Sequence, residues 1–229
     1  MSVRVFTDFD GTITAQDTLV YLLDRYVGGG WLEIEARVED GTLSEEQGLR
    51  DEIGLLTAPW DEAVAGVLAD VPVDAGFAPF AAFCAARDWP LTILSGGLEP
   101  VIRAVLDREG LGAVPLRANG LDFAADGRWR VVPARTPRIN RLCNHCKSWH
   151  LGTAAGAGHR TIYIGDGTTD RCPAGHADLL FAKGSLAAWC EARAIAHHRF
   201  TAFDEIRAWF ESPAGAAWIA QEARGGSEL

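Results

Sequence analysis

The sequence predicts an α/β protein: a doubly wound, Rossmann-like parallel sheet with a small inserted α-helical cap. Three observations carry this. Short apolar runs rich in β-branched and aromatic residues alternate with amphipathic segments. Several of those runs stop abruptly at polar turns containing Gly. Between the first run and the second, no strand pattern appears at all. At 229 residues, the chain has room for one domain with an insertion.

The elements follow in order. Val3 to Phe9 reads as a buried strand running into Asp8-Phe9-Asp10-Gly11-Thr12. From Asp17 to about Val71 the spacing is helical, through Leu19, Leu22, Leu23 and Tyr26, then Leu49, Ile53 and Leu56. Gly28-Gly29-Gly30 and Thr57-Ala58-Pro59 punctuate it, the glycines as a hinge. This places a cap at 15–75 and a core at 1–14 and 76–229. Phe77 to Ala86 is helical, Pro90 to Leu94 is a strand ending at Ser95-Gly96-Gly97, and Glu99 to Glu109 is helical. Leu121 to Val132 reads as a hairpin around Asp126-Gly127. Thr161 to Ile164 is a strand ending at Gly165-Asp166-Gly167, and Leu179 to Ala182 is another. Phe203 to Phe210 is an amphipathic helix, followed after Ser212 by a Gly/Ala-rich tail with a frayed end.

Composition narrows the function. A hydrophobic share of 48% with 23% charged residues is that of a soluble globular protein, which excludes disorder and a disulfide miniprotein. A net charge of −10 repels phosphate backbones and anionic lipid, so neither nucleic acid nor a membrane is an expected partner. No apolar run approaches the roughly 20 residues of a membrane span. Met1-Ser2-Val3-Arg4 leads straight into the first strand with no secretory apolar region, so a cytoplasmic protein is expected. Five Cys, an odd number, read as free thiols. Lysine occurs only at Lys147 and Lys183, which singles both out.

Four polar clusters lie where predicted strands end: Asp8/Asp10, Ser95-Gly96-Gly97, Lys147, and Asp166/Asp170. Ligands of an open parallel sheet bind outside the carboxyl ends of its strands. In this order the clusters resemble the phosphatase signature of the haloacid dehalogenase superfamily, through Asp8-Phe9-Asp10-Gly11-Thr12, Ser95, Lys147 and Gly165-Asp166-Gly167-Thr168-Thr169-Asp170. The resemblance implies hydrolysis of a small-molecule phosphomonoester. It makes Asp8 the nucleophile of an aspartyl-phosphate intermediate and Asp10 the general acid and base. Ser95, the Gly96 N–H and Lys147 would bind the phosphoryl group. Mg²⁺ would be held by Asp8, the Asp10 carbonyl and Asp166, with Asp170 orienting Lys147 or a metal-bound water.

The helical insert resembles the cap of the phosphoserine-phosphatase-like branch, through Asp40-Gly41-Thr42-Leu43, Leu49-Arg50 and Leu55-Leu56. Asp17 falls where that branch places an amine-gripping acid. Glu52 falls where it places an arginine for the substrate carboxylate, which disfavours phosphoserine and leaves Arg50 as a replacement anchor. A wider resemblance is to the methylthiopentenyl phosphate phosphatases of methionine salvage. It rests on Asp8 to Thr14, Asp17, Ser95 to Leu98, Cys143 to Lys147, Phe181-Ala182 and Phe203 to Arg207. Phosphocholine and phosphoethanolamine phosphatases share Asn144 to Lys147. A phospho-accepting receiver domain is the non-enzymatic alternative, although such modules lack a helical insert. A homodimer is left open. Cys143 and Cys146, with His145 and His150 nearby, read first as reduced thiols and second as structural zinc. Cys172 and His176 read as helical packing residues, with a metal pair as the alternative.

Overall fold

The computed structural model describes residues 2–134, 136–137 and 145–224. From the N-terminus, β1 (Val3–Thr7) is followed by α1 (Thr18–Tyr26), a 3₁₀ turn (Gly28–Trp31), α2 (Leu32–Glu39), α3 (Glu45–Ile53) and α4 (Trp60–Asp70). Next come α5 (Phe77–Ala85), β2 (Leu91–Leu98), α6 (Glu99–Arg108), β3 (Leu116–Phe123) and β4 (Trp129–Val132). The remainder holds α7 (Lys147–Gly156), β5 (Arg160–Gly165), a 3₁₀ turn (Thr168–Asp170) and α8 (Arg171–Ala174). It closes with β6 (Leu179–Ala182), α9 (Gly184–Glu191), β7 (His198–Arg199), α10 (Phe203–Glu211) and α11 (Pro213–Arg224). Among the described residues the sheet has seven strands in the order β4-β3-β2-β1-β5-β6-β7. The pairs β1–β2, β1–β5, β5–β6 and β6–β7 are parallel, and β3–β4 is antiparallel. The predicted α/β class with a largely parallel sheet is the observed one.

The chain divides into two compact units: Met1–Ile13, Val73–Ile93 and Lys147–Leu229 form one, and Thr14–Pro72 with Leu94–Cys146 form the other. In the first unit, β1 and β5 are central strands. Val3 and Val5 of β1, and every residue of β5 from Thr161 onward, are buried, as expected of strands covered on both faces. Their register runs from Val3 against Arg160 to Thr7 against Ile164, so both strands end together and Asp8 and Asp166 leave from the same end.

An aromatic cluster packs under this sheet. Phe77 meets Phe203 at 5.0 Å between ring centroids, and Trp89 meets Phe210 at 5.2 Å. That cluster adds a helix to the reading of the tail after Ser212: the segment forms α11, while the end expected to fray, residues 225–229, lies outside the described residues. Trp218 packs against Phe210 at 6.0 Å, the Arg160 guanidinium lies 3.6 Å over its ring, and Arg160 Nη1 donates to its carbonyl. The tail's small residues disguise an anchor supplied by one tryptophan.

In the second unit, Asp17 caps α1, its Oδ1 accepting from the N–H groups of Leu19 and Val20. Ser44 and Gln47 form a capping box at α3. The break at Thr57-Ala58-Pro59 is fastened to the hairpin: Trp129 donates its backbone N–H to the Leu56 carbonyl and Nε1–H to the Ala58 carbonyl. Trp60 packs on the Trp129 ring at 5.6 Å. The expected hairpin is present, with its first arm starting earlier, at Leu116. Among the described residues no helix is long and apolar enough to cross a membrane.

Candidate active site

The first unit assembles the charged residues. Asp8, immediately after β1, is anchored by its own N–H donating to the Ile164 carbonyl at 2.9 Å. Its Oδ1 accepts from the Phe9 N–H at 2.7 Å and pairs with Lys147 Nζ at 2.8 Å. Lys147 Nζ also pairs with Asp170 Oδ1 at 2.7 Å and donates to Thr169 Oγ1 at 3.3 Å. Asp170 Oδ1 takes a further bond from the Tyr163 hydroxyl at 2.5 Å, while Oδ2 accepts the N–H groups of Asp166 and Gly167. Asp166 Oδ1 accepts from Thr12 Oγ1 at 2.5 Å. Gly11, at φ +71°, packs so closely on Asp166 that a Cβ there would collide with its Oδ2.

Burial sets the electrostatics. Asp8, Lys147 and Asp170 are 6%, 3% and 0% exposed. Burial, with Asp170 and Asp166 close by, pushes the Asp8 carboxyl well above the usual carboxylate range, and Lys147 only partly offsets this. Asp166 is likewise raised by burial. Burial opposes ionisation of Asp170 too, but the Lys147 charge and its several hydrogen bonds hold it below the ordinary value. Lys147 is desolvated, yet Asp170 and Asp8 keep it firmly charged.

Carboxylate oxygens of Asp8, Asp166 and Asp170 lie within 4.8 Å of one another. This donor set is all oxygen, and one lysine leaves it with surplus negative charge, which fits a hard divalent cation. Asp170 is the least suited to hold one, since both its oxygens already accept two bonds each. Asp8 and Asp166 have the capacity.

The other expected residues have different settings. Asp10 lies in the turn after β1 and is partly exposed. Ser95 and Gly96 sit inside β2, which runs through Ser95-Gly96-Gly97 to Leu98 instead of stopping at Leu94. Ser95 Oγ accepts from the Gly97 N–H at 2.9 Å; His145 Nδ1 lies 2.9 Å from the Ser95 carbonyl, and Asn119 Nδ2 donates to the Gly96 carbonyl at 2.7 Å. Lys147 does not follow a strand but opens α7. Cys143 and Asn144 lie outside the described residues; Cys146 is buried. Cys172 and His176 do not share a helix, because α8 ends at Ala174, and Cys172 Sγ accepts from Ser148 Oγ.

Tyr163, Thr12 and Asn119 were not assigned roles from sequence, and His145 was considered only beside the Cys143/Cys146 pair. Thr12 was within the quoted motif. Tyr163 carries no sequence signal, because in a buried strand it reads as an apolar residue.

In the second unit, Arg50 is exposed and pairs with Glu46 at 3.4 Å. Glu52 is only 6% exposed, and its Oε1 has no hydrogen-bond partner. Burial, then Glu35, Asp17 and Asp51, push its carboxyl from 4.5 to about 8. Between those values the folded chain holds a proton that the unfolded chain releases, so stability falls as pH rises through that window. Glu52→Gln should remove this slope and stabilise the protein by about 1–3 kcal/mol above pH 8.5. Urea midpoints at pH 5 and 8.5 measure it; an unchanged slope would refute the assignment.

Known proteins resemble this chain along most of its length. The chain is 29% identical over 214 residues to a 2-hydroxy-3-keto-5-methylthiopentenyl-1-phosphate phosphatase of an Exiguobacterium species, covering 92% of this chain and 98% of that one. It is 28% identical over 219 residues to the polyol phosphate phosphatase PYP1 of Saccharomyces cerevisiae, covering 89% and 90%. A solved phosphoserine phosphatase carrying a phospho-aspartyl intermediate analogue shares the fold, with a TM-score of 0.67 at 20% identity over 91% of this chain and 98% of that one. The family model of the haloacid dehalogenase-like hydrolases matches residues 5–174, the span that holds every charged residue of the buried cluster, and the chain belongs to that family.

Proposed function

We propose that this phosphatase hydrolyses a small phosphomonoester through an aspartyl-phosphate on Asp8, with Mg²⁺ as cofactor. The observation that supports this best is the buried Asp8–Lys147–Asp170 chain beside Asp166. Asp8 attacks phosphorus through Oδ2, since the Phe9 N–H and Lys147 both occupy Oδ1. Asp10 protonates the leaving oxygen and then takes a proton from the attacking water. Lys147, held by Asp170, stabilises charge on the phosphoryl oxygens, and the Ser95 hydroxyl and Gly96 N–H donate to them. Asp8, Asp166 and the Asp10 carbonyl would hold Mg²⁺, which supplies positive charge where the phosphoryl group gains electron density. Residues 15–75 form the cap that selects the leaving group. The reading places the enzyme in the cytoplasm and makes no use of a homodimer, which has no support.

The leaving group we favour is the 2-hydroxy-3-keto-5-methylthiopentenyl group, on the likeness to the Exiguobacterium enzyme along nearly the whole chain. Glu52 favours a second reading, a polyol or aminoalcohol phosphate, because a buried carboxyl with a vacant acceptor suits hydroxyl or ammonium donors. Both readings disfavour phosphoserine, whose carboxylate would face Asp17 and find no positive charge at Glu52.

Phosphate release over a panel of these esters tests the assignment. Phosphoserine should fall about tenfold or more below the best substrate in kcat/KM. EDTA should abolish turnover, and Mg²⁺ should restore it better than Zn²⁺. Phosphoserine in first place would make Arg50 the carboxylate anchor. No turnover of any ester would point to the receiver alternative. Asp10→Asn should slow alkyl phosphates by about 10²–10⁴-fold while sparing an activated aryl phosphate, which needs little protonation. Equal losses on both would make Asp10 a metal-holding residue only.

A further inference from the structure

Lys183, the second of the two lysines, has no part in the chemistry above. It follows β6 and is partly buried. Its Nζ donates to the Thr12 carbonyl at 3.0 Å, and the Thr12 hydroxyl in turn donates to Asp166 Oδ1 at 2.5 Å. The main chain of the same turn grips the other end of Asp166. The Lys183 N–H donates to the Gly165 carbonyl at 3.1 Å, and the Leu186 N–H donates to the Asp166 carbonyl at 2.8 Å. Gly184, at φ +53°, makes this approach possible, since a Cβ there would stand 3.0 Å from the Asp166 carbonyl oxygen. One four-residue turn thus fixes the Asp166 backbone directly and its carboxylate through Thr12. The other groups facing the ammonium are the Asp74 carboxylate and the Phe200 ring, 5.3 Å away.

We propose that Lys183 is a positioning residue for the metal site: by holding the Thr12 carbonyl, it aims the Asp166 carboxylate. This rests on the reading of Asp166 as a metal ligand. The competing role, plain charge compensation for Asp166 and Asp74, predicts the opposite sign. Removing a positive charge beside a carboxylate cluster tightens binding of a divalent cation, whereas losing an outer support for a ligand weakens it.

The discriminating measurement is Mn²⁺ binding to the purified full chain, followed by the electron paramagnetic resonance of free Mn²⁺. Lys183→Met should weaken binding about tenfold, with Lys183→Arg within about threefold of wild type. Thr12→Val should weaken binding comparably, and adding Lys183→Met to it should cost less than about twofold more, because the two act along one chain of contacts. Substrate KM at saturating metal should stay within about twofold of wild type. Unchanged or tighter Mn²⁺ binding by Lys183→Met overturns the proposal, as does additivity with Thr12→Val. Should Lys183→Met not fold, as judged by thermal melts without metal, Thr12→Val binding Mn²⁺ like wild type overturns it. Wild-type protein that binds no Mn²⁺ overturns the metal reading itself, an outcome distinct from failure of the Lys183 assignment.

Discussion

Asp8→Asn is expected to lower kcat by roughly a thousandfold or more while leaving the fold intact. The amide matches the carboxylate in shape and can keep its oxygen toward the Phe9 N–H and Lys147. It cannot displace an alkoxide from phosphorus, so the first step stops. Stability should hold, because the variant removes one of three crowded carboxylates whose proximity already pushes Asp8 upward. The check is phosphate release beside intact-mass detection of phosphoenzyme after acid quench. Wild-type protein should show the adduct and the variant should not. Activity within tenfold of wild type would remove Asp8 from the nucleophile's role.

Lys147→Met should damage both activity and stability. The ammonium is almost wholly buried between Asp8 and Asp170, and among the described residues it is the one cation paired with both. Deleting it leaves buried carboxylates uncompensated, and breaking a buried ion pair from one side costs about 3–5 kcal/mol. Activity should fall to near background, since the phosphoryl oxygens lose their fixed positive charge. Adding Asp170→Asn should recover part of the lost stability, because an amide tolerates burial better than an unpaired anion, but none of the lost activity. Urea denaturation of the single and double variants measures this. A midpoint unchanged in Lys147→Met would mean that the pair is not buried in solution. The two predictions separate the groups: one loses chemistry alone, the other chemistry and fold.

How much of this was legible follows from what each residue depends on. Val3, Val5 and Phe6, and Thr161 to Ile164, are buried, so short β-branched and aromatic runs announced both strands, and the polar turns after them marked Asp8 and Asp166. The end of β2 was misplaced because Ser-Gly-Gly reads as a turn, whereas Asn119 and His145 supply partners that keep this segment extended. Lys147 was identified by motif order but not by local structure, since nothing in its neighbours separates a helix start from a strand end. α11 depended on Trp218 finding an aromatic cluster assembled from distant segments. Strand order is absent from the motif order altogether: β1 lies between β2 and β5 through long-range pairing alone.

That placement of β1 bears on how the protein comes into being. The first strand leaves the ribosome long before β5, with which it pairs along its whole length, and Thr12 must wait for a partner 154 positions later in the chain. Loop closure on this scale is slow, so the buried polar network can form only late in folding, after the central ladder has closed. Until then the side of β1 that β5 will cover is an open edge, even where β2 has paired with the other, and it is exposed to wrong partners and to aggregation. Amide exchange during refolding should therefore protect the locally connected β3–β4 hairpin and α6 before β1, and phosphatase activity should appear last, in step with β1 protection.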